Sequence, residues 1–385
     1  MKKIKVGILG ETDLDKFFKN GLYQNTWSLA KLLGNSGEFE ATLISKDIPK
    51  SKDLIGVKCE KLGLDSLKDK DVIITGAVDL PPNYADTLQK KGVKIILVKY
   101  GNHLGGDTAS FVQFSLGFKP VYEFNEWLRT SLETKADLIL YSPHFEFQKQ
   151  YLSLTSGVSE EKVLTCPYIW HPFFIQAMSR IREKKFGEAY DLAFKRDDYR
   201  NKAVACVEPS IYFMKTNLLP ILILNHVHEQ DSELMSKGYI FNSKSLLNSN
   251  EAESLRRKLN MLQGFKDGVL ELSSRFPMYD IMANKARVLV SHQILNSLNY
   301  TYFEFALSGY PFVHNSDLLS DYGYYYEGNN VLDAAEKTKE ALNHDLLSSK
   351  ELSAYNDSCL EMIWKHSPDN SKNISDYVGL IKSVL

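Results

Sequence analysis

Two short polar clusters enclose a mostly apolar, aromatic segment in the last third of the chain. Hydroxyl, imidazole and amide side chains make up both clusters: Ser291, His292 and Gln293 at one end, and His314, Asn315 and Ser316 at the other. Such groups bind the hydroxyls and phosphates of small ligands. Each cluster follows a short β-rich run, so the pattern predicts that both lie at the carboxyl ends of parallel strands, where α/β sheets bind ligands.

Glu304 lies between the two clusters. The residues from Asn296 to Ser308 have helical spacing, and Leu298, Tyr302 and Phe305 repeat on the face expected to pack against a sheet. Glu304 falls off that face. A carboxylate there could accept two hydroxyls at once, as from a ribose, whereas an exposed helix glutamate in contact with solvent is the alternative.

A second set of residues could bind phosphate. Lys215 follows a predicted strand, early in a helix, where a cation beside a helix N-terminus can hold a phosphate group; an ordinary surface lysine is the alternative. Ser210 lies in the loop before it. In the first half of the chain, small and amide residues offer a backbone cradle: Gly21, Gln24, Asn25, Gly101 and Asn102. None of these belongs to a GxGxxG or GxxxxGK[ST] pattern.

Other reactive side chains form no standard catalytic motif. His103, His144, His171 and His292 could each act as a base or a ligand, and a structural role is the alternative for each. The four cysteines are scattered singly, and no HExxH, GxSxG or CxxC pattern is present. We therefore expect no metal site, no serine hydrolase site and no disulfide framework.

Composition places the chain among globular proteins. Its 385 residues are enough for two ordinary domains, and 44% of them are hydrophobic. A formal net charge of −2 gives no general attraction to nucleic acid or anionic membranes. The start MKKIKVGILG leads into a strand pattern rather than a signal peptide, and no apolar run reaches membrane-spanning length. A cytoplasmic protein is expected.

Short β-rich runs alternate with helical patterns, which predicts parallel sheets built from βαβ units. One series of strands starts at residues 5, 71, 94, 137 and 163, and another at 203, 238, 287 and 312. Two series predict two doubly wound α/β domains, 1–172 and 173–350, with helices over 351–385 packing back across the join. The basic stretch from Arg180 to Lys202 is interpreted as a solvated helix, Asp197 and Asp198 within it as surface residues, and GYYYEGNN (323–330) as loop packing.

Six strings in the sequence resemble segments of known proteins. EFALSGYPFVH, from Glu304 to His314, resembles the donor-site segment of glycosyltransferases with the B-type fold, and VLTCPYIWHPFFI (163–175) is similar to their interdomain segment. SHQILNSLNY, YPFVHNS, GYYY and VEPSIYFMK resemble more specifically a family of bacterial and phage glycosyltransferase-like domains of unknown function. This resemblance covers nearly the whole chain. It implies two Rossmann-like domains facing a cleft, the N-terminal one for the acceptor and the C-terminal one for the donor.

The resemblance also implies roles for single residues. Glu304 matches a ribose-binding acid, and Lys215 loosely matches a basic residue that contacts the diphosphate. Asn296 stands where many retaining members carry a second glutamate, and Glu208 where a basic residue is expected. The donor would be a nucleotide sugar, most simply a UDP-sugar, acting as co-substrate without a further cofactor or a metal. Three residues of the first domain are candidates for the base that deprotonates an acceptor hydroxyl: His103, Asp79 and Asp107.

The acceptor and the class of protein stay open at this stage. The acceptor is either a glycan or a hydroxymethylated base of phage-type DNA, in a bacterial or phage-infected cell. A non-catalytic protein that binds nucleotide sugars or glycans is one alternative, and a nucleotide-sugar epimerase of the same fold is another. Binding without transfer or hydrolysis would identify the first, and product analysis with the donor alone would identify the second.

Overall fold

The chain forms two compact units of α/β structure. A computed structural model describes residues 3–13, 16, 20–48, 56–117, 136–187, 191–210, 213–244, 246 and 252–385. One unit comprises Met1–Phe174 with Trp364–Leu385, and the other Ile175–Ile363. No helix in these ranges is long and apolar enough to cross a lipid bilayer. Residues 211–212 of VEPSIYFMK and 188–190 of the basic stretch lie outside the described residues.

The first unit is built on a parallel sheet in the order β3-β2-β1-β4-β5-β6-β7. Its strands are β1 (Ile4–Leu9), β2 (Phe39–Ser45), β3 (Cys59–Lys61), β4 (Val72–Thr75), β5 (Lys94–Lys99), β6 (Leu138–Tyr141) and β7 (Val163–Thr165). Its helices are α1 (Gly21–Asn35), α2 (Leu64–Lys68), α3 (Pro82–Lys90), α4 (His103–Ser115) and α5 (Lys149–Ser156). The next helix, α6 (Phe173–Phe186), begins in this unit and continues into the second. The strand order reverses between β1 and β4, as in doubly wound nucleotide-binding folds.

The second unit repeats this plan in the order β10-β9-β8-β11-β12-β13. Its strands are β8 (Ala203–Cys206), β9 (Lys237–Ile240), β10 (Leu270–Leu272), β11 (Val288–Val290), β12 (Phe312–His314) and β13 (Tyr324–Tyr325). Its helices are α7 (Leu218–Gln230), α8 (Ala252–Leu259), α9 (Gln263–Lys266), α10 (Met278–Asn284), α11 (Tyr300–Leu307), α12 (Val331–Leu342) and most of α13 (Ser349–Lys365). Here the order reverses between β8 and β11, which pair in register at Val288↔Val204.

Continuous apolar runs explain why both sheets are covered on both faces. All residues of β4 (VIIT) and β8 (AVAC) are buried, which is characteristic of parallel sheets flanked by helices. In the first unit Trp27 and Leu33 of α1 share a core with Tyr377 and Ile381 of the last helix, α14 (Ser371–Lys382). The C-terminal helix therefore completes the first unit, although the whole second unit, Ile175–Ile363, separates it in sequence from the rest of that unit.

The two predicted Rossmann-like sheets are confirmed, and the sequence patterns missed several of their strands. β2, β3 and β10 were not predicted, because they lie toward sheet edges where the apolar pattern is shorter or interrupted. The interpretation of 323–330 as loop packing alone was wrong. Tyr324 and Tyr325 form β13, which pairs in parallel with Val313 and His314 of β12.

Two further local predictions need correction. The helix expected from Asn296 begins only at Tyr300, where the Asn299 side chain caps it by accepting from the Thr301 N–H at 3.3 Å. Residues 291–299 are therefore a loop. Asp198 is not a surface residue, because its side chain is largely buried against two arginines.

Gly76, directly after β4, should not tolerate a side chain. Its φ of 147° is outside the range that L-residues favour, and a Cβ there would lie 2.0 Å from the carbonyl oxygen of Val98 in β5. Gly76→Ala should lower the free energy of unfolding by roughly 1–3 kcal/mol, measured by urea denaturation.

Gly34 provides the matched control. It lies in α1, and a Cβ there would meet nothing within 4 Å. Gly34→Ala should stabilise the protein by roughly 0.5–1 kcal/mol, because alanine loses less backbone entropy in a helix. Equal effects of the two substitutions would contradict the predicted close approach at Gly76.

Candidate functional site

The strand order directs attention to the loops after β8 and β11. These loops flank the reversal point of the second sheet, where open α/β sheets bind ligands at the strands' carboxyl ends. Glu208 lies in the first loop, and Ser291, His292 and Gln293 lie in the second. The predicted position of the 291–293 cluster at the carboxyl end of a strand agrees with the structure.

Glu208 links the two loops. Its carboxylate oxygen Oε1 accepts hydrogen bonds from the Ser291 hydroxyl at 2.6 Å and from the Gln293 amide at 2.7 Å, and its side chain is only 1% exposed. The Ser291 hydroxyl also lies 3.1 Å from the Tyr302 hydroxyl of α11. Burial raises the pKa of Glu208, an effect that the charge of Lys215 opposes. The loop ends are thus held by a buried carboxyl group.

Gln293 extends this network to the end of β12. Its Oε1 accepts from the Asn296 amide at 2.6 Å. Its backbone N–H donates to Asn315 Oδ1, and its carbonyl accepts from Asn315 Nδ2, both at 2.9 Å. The loops after β8, β11 and β12 therefore form one hydrogen-bonded surface, which we call the rim network: Glu208, Ser291, Gln293, Asn296 and Asn315.

The histidines at these strand ends support the loops. His314 is fully buried; its Nε2 lies 2.8 Å from the Tyr322 carbonyl, and its Nδ1 accepts from the Ser316 N–H at 3.1 Å. Burial lowers the pKa of His314 to about 4. His292 Nδ1 lies 2.9 Å from the Tyr326 hydroxyl, and burial lowers its pKa as well. Both imidazoles are therefore neutral at pH 7, and His314 has no ring nitrogen left for a ligand.

Residues with strained backbone conformations also lie at the carboxyl ends of the strands in this sheet. Within the described residues, the non-glycine residues with positive φ are Ser210, Asn242 and Leu295, at 51°, 59° and 51°. They lie in the loops after β8, β9 and β11. Unfavourable backbone conformations persist where the surrounding structure enforces them, and they cluster at ligand sites. This supports the choice of this edge independently of residue type.

Glu304 is buried and lacks a protein partner. It lies in the second turn of α11 with 9% exposure, and its carboxylate makes no hydrogen bond or ion pair with any described residue. Burial raises its pKa to about 8. The alternative of a solvated surface glutamate was therefore wrong. An isolated polar group in a buried position costs free energy unless a ligand or water completes its hydrogen bonds.

Lys215 precedes α7 instead of lying within it. It is half-buried, forms no hydrogen bond with a described residue, and has its pKa lowered by burial, an effect that Glu208 opposes. Ser210 supports the same loop, because its hydroxyl accepts from the backbone N–H of Asn217 at 3.2 Å. Asn217 in turn donates to the Glu208 and Phe241 carbonyls at 2.9 and 3.0 Å. The lysine is thus carried by an ordered loop next to a helix N-terminus.

In the first unit, the helix starts proposed as phosphate cradles are already capped. Asn102 accepts from the Gly105 N–H at 2.7 Å, and Gln148 accepts from the His103 and Leu104 N–H groups at 2.8 and 3.3 Å. Gln148 also donates to the Gly101 carbonyl at 3.0 Å. The start of α4 therefore has these N–H groups occupied by protein.

The start of α1 has the expected position. Gly21 is its first residue, and Asn20 caps it by accepting from the Leu22 N–H at 3.0 Å. The Asn25 amide donates to the Gly21 carbonyl at 3.1 Å, whereas Gln24 is buried. Only part of the loop before this helix lies within the described residues.

The three candidate bases lie around a buried lysine that sequence reasoning missed. Lys99, the last residue of β5, is 6% exposed, and burial lowers its pKa to about 8 while Asp79 and Asp107 oppose that shift. Asp107 bonds to the Tyr151 hydroxyl through one oxygen, and its other oxygen has no partner among the described residues. Burial raises the pKa of Asp107 and, together with Lys99, lowers that of His103 well below its ordinary value. Asp79 is exposed.

No cluster of three or more His, Cys, Asp or Glu side chains suited to a metal ion occurs in the described part of the chain. The titratable groups at the carboxyl ends of the strands in the two sheets are instead single carboxyls, imidazoles and lysines. Their chemistry is that of hydrogen bonding, charge compensation and proton transfer.

Comparison with known proteins identifies the family of this chain. Residues 4–381 match a family described as protein of unknown function, DUF2827. The chain belongs to this family. None of the curated proteins matches it.

Solved structures show which fold this DUF2827 protein has. HepE from Anabaena, crystallised with UDP and glucose, has a TM-score of 0.53 at 11% identity, covering 99% of this chain and 100% of its own. The α,α-trehalose 6-phosphate synthase from Burkholderia multivorans has 0.57 at 9%, covering 100% and 99%. The UDP-forming α,α-trehalose-phosphate synthase from Burkholderia xenovorans has 0.56 at 10%, with the same coverage. The DUF2827 chain therefore has the fold of the B-type glycosyltransferases.

Two residues of this DUF2827 chain would have been hard to select from sequence. Glu208 occupies a position where a basic residue was expected, and Lys99 ends the otherwise apolar strand KIILVK. A charged residue at the end of a buried strand is the signal they share. Such a charged residue indicates a ligand site only when the strand order places the carboxyl end of its strand where the sheet binds ligands.

Proposed function

We propose that this protein is a glycosyltransferase that moves a sugar from a UDP-sugar to an acceptor hydroxyl, with the donor on the second unit and the acceptor on the first. The observation that carries the proposal is Glu304, a buried carboxylate without a protein partner in a helix that follows the rim network. A ribose diol supplies the two donors that such a carboxylate lacks. The shared fold with proteins crystallised with UDP supports this assignment.

The proposed chemistry needs a stabilised leaving group. The bond from the sugar carbon to the diphosphate oxygen breaks, and the electron pair leaves with UDP. Lys215, in the loop before α7, offsets part of the charge that develops there, and the helix N-terminus adds a favourable dipole. We propose that this route needs no metal, so activity should survive treatment with EDTA.

Deprotonation of the acceptor is assigned to the first unit. Asp107, His103 and Asp79 remain the candidate bases. Burial and the charge of Lys99 lower the pKa of His103, so it is neutral at pH 7, whereas Asp107 is oriented by Tyr151, and Lys99 opposes the burial that raises its pKa. In this scheme the acceptor oxygen forms the new bond to the sugar carbon while its proton passes to one of these groups.

The proposed acceptor is a glycan hydroxyl in preference to a DNA base. Four of the eight basic residues from 180 to 202 are engaged by acidic partners: Arg182 with Asp280, Lys195 with Asp191, Arg200 with Asp198 and Lys202 with Asp345. Neutralised lysines and arginines release few counterions from DNA, and such release supplies most of the affinity of a DNA-binding surface. Weak, salt-insensitive binding to hydroxymethylated DNA is the expected result.

A donor panel tests the proposal. Thermal unfolding would be followed with UDP, GDP, ADP, CMP and their common sugars, and UDP release would be assayed with each sugar that stabilises the protein. A ligand at about 100 times its dissociation constant should add roughly 2.7 kcal/mol to the free energy of unfolding. Stabilisation by UDP and UDP-sugars with slow UDP release is expected.

The same panel separates the alternatives. Stabilisation without release of UDP, with or without glycans present, would favour a binding protein. An isomeric UDP-sugar formed from the donor alone would favour an epimerase. If no nucleotide stabilises the protein, the glycosyltransferase assignment fails.

A further inference from the structure

Asp107, in the second turn of α4, is the one buried carboxylate in the described part of the first unit, with 7% exposure. Its Oδ2 accepts a hydrogen bond from the Tyr151 hydroxyl. Its Oδ1 is buried and has no hydrogen-bond partner among the described residues. A structural carboxylate would ordinarily have both oxygens satisfied. One oxygen of Asp107 is therefore held by protein, while the other still lacks a hydrogen-bond donor.

Gln148 joins the helix that carries Asp107 to the helix that carries Tyr151. Its Oε1 accepts from the first two N–H groups of α4 at 2.8 and 3.3 Å, and its amide nitrogen donates to the Gly101 carbonyl at 3.0 Å. Gln148 is fully buried and directly precedes α5, in which Tyr151 is the third residue. The hydrogen bond from Tyr151 to Asp107 therefore connects two helices that are already joined at their starts. Such support fixes the orientation of a reactive group.

The helix that carries Asp107 starts at the ligand-binding edge of the first sheet. α4 follows the carboxyl end of β5, which pairs with β4 beside the point where the strand order reverses. α5 follows the next strand, β6, at the same edge. Open α/β sheets bind ligands outside this edge. The unsatisfied oxygen of Asp107 thus belongs to a helix that begins where a ligand is expected.

The two other candidate bases are less suited to proton transfer. Burial and the charge of Lys99 lower the pKa of His103 well below its ordinary value, and an imidazole that resists protonation is a weak base. Asp79 is exposed in the loop after β4, where water competes for its oxygens. Burial raises the pKa of Asp107, which makes it a stronger base than an exposed carboxylate.

We infer that Asp107 binds the acceptor hydroxyl and takes its proton through Oδ1, and that Tyr151 and Gln148 are positioning residues that hold it for this step. This inference rests on the proposed function, because it selects one base among the three candidates for that reaction. The acceptor oxygen forms its bond to the sugar carbon, and its proton passes to Oδ1 of Asp107. The electron pair of the broken bond leaves with UDP. Asp107 returns the proton to solvent once the product has left.

Release of UDP from UDP-glucose, UDP-galactose and UDP-N-acetylglucosamine tests the inference on the full chain, with water as the acceptor. The sugar that native protein hydrolyses fastest serves for all variants. Asp107→Asn should lower kcat about 100-fold and change KM for the donor by less than about twofold, because an amide cannot take the proton. Titration calorimetry with UDP should give the native dissociation constant, since the donor is bound by the second unit. Native UDP affinity also shows that the variant is folded.

Tyr151→Phe tests the positioning role without removing the base. It should lower kcat roughly fivefold and move the acid limb of the kcat/KM profile up by about one pH unit, because loss of a hydrogen bond to an ionised carboxylate raises its pKa. The other titratable groups of this cluster, Lys99, His103 and Asp79, are unchanged in the variant. A tyrosine that only fills space would leave the acid limb in place.

Tyr141→Phe is the matched control. The Tyr141 hydroxyl donates to the exposed carboxylate of Glu146 at 2.6 Å, so the substitution removes a bond of the same kind in the same unit. It should leave kcat and the acid limb as in the native protein.

The outcomes are distinct. Near-native kcat in Asp107→Asn, or a larger loss in His103→Gln or Asp79→Asn, overturns the inference while the proposed function stands. An unmoved acid limb in Tyr151→Phe overturns the positioning role. If native protein releases UDP from none of the three sugars, both the inference and the proposed function fail.

Discussion

Glu304→Gln is expected to weaken UDP binding by roughly 100-fold. A carboxylate that accepts two ribose hydroxyls loses about 1.5 kcal/mol or more per hydrogen bond when its charge is removed. Glutamine keeps the size of the side chain, so the buried helix face around Phe303 and Phe305 should stay packed. Isothermal titration with UDP at pH 9, above the pKa of about 8 that burial gives Glu304, compares the ionised carboxylate with the neutral amide.

The same substitution should stabilise the unliganded protein above neutral pH. The folded pKa of Glu304 is about 8, whereas an unfolded glutamate titrates near 4.5. Between these values the folded state binds the proton more tightly, so stability is lost as the pH rises from 4.5 to 8. Replacement by glutamine removes this loss, which amounts to about 3 kcal/mol at pH 7. The two proteins should unfold alike at pH 4 and diverge by pH 8 in urea titrations.

If Glu304 binds the ligand, Glu304→Gln should both weaken UDP binding and raise the stability of the unliganded protein. A control variant shows whether this pair of effects is specific to Glu304. Glu327→Gln removes an exposed carboxylate of the same unit and should change neither quantity by more than about 0.5 kcal/mol. If Glu304→Gln binds UDP as the native protein does, the ribose assignment is wrong. If it unfolds more easily at pH 8, the carboxylate has a protein partner and serves the fold.

Asp198→Ala should lower the free energy of unfolding by roughly 3–5 kcal/mol. Asp198 Oδ2 lies 2.8 Å from Nη2 of Arg287, whose side chain is 1% exposed, and Oδ1 accepts from Arg200 Nε at 2.7 Å. Arg287 also lies over the Tyr310 ring, with its guanidinium carbon 5.0 Å from the ring centre. Loss of the carboxylate leaves a buried guanidinium without its counter-charge, which is the costly way to break a buried ion pair. Urea denaturation at pH 7 measures the effect.

Asp197 gives the matched comparison, because it is exposed and adjacent in sequence. Asp197→Ala should change stability by less than about 0.5 kcal/mol. The bond with Arg200 lowers the pKa of Asp198, so its contribution should be present above about pH 4 and lost as the pH falls through the folded pKa. Similar losses from the two alanine variants would show that the arginines are not held by Asp198.

Local patterns were sufficient for the sheets and for several site residues. Runs such as VIIT in β4 and IKVGIL in β1 place apolar side chains on both faces of a strand, so both faces must be buried. This burial is typical of parallel sheets, and such runs therefore predict parallel strands. The polar tripeptide after β11 was located for the same reason, because a buried strand must end where polar residues begin. Edge strands such as Tyr324–Tyr325 escaped, since a short edge strand needs no long apolar run.

Such local patterns could not predict which side chains pair with one another. Asp197 and Asp198 look alike in sequence, yet only Asp198 meets an arginine that arrives from residue 287. Glu208 stood where a cation was expected, and its role became visible only with the hydrogen bonds from Ser291 and Gln293, more than 80 residues away. Lys99 likewise acquires its lowered pKa only through its burial in the folded first unit.

The sequence alone determined that the chain forms two parallel α/β sheets, because apolar strands alternating with helices have few other ways to bury their surfaces. It also singled out Glu304 and the clusters at residues 291–293 and 314–316. Only the tertiary structure decided which of these groups have protein hydrogen-bond partners and which have none among the described residues. Hydrogen bonds and charge interactions depend on distances of a few ångströms between residues far apart in the chain, and such distances exist only after the strands are ordered. By that criterion His314 belongs to the loops, whereas Glu304 is buried without a hydrogen-bond partner among the described residues, which is why we propose it as a ligand-binding group.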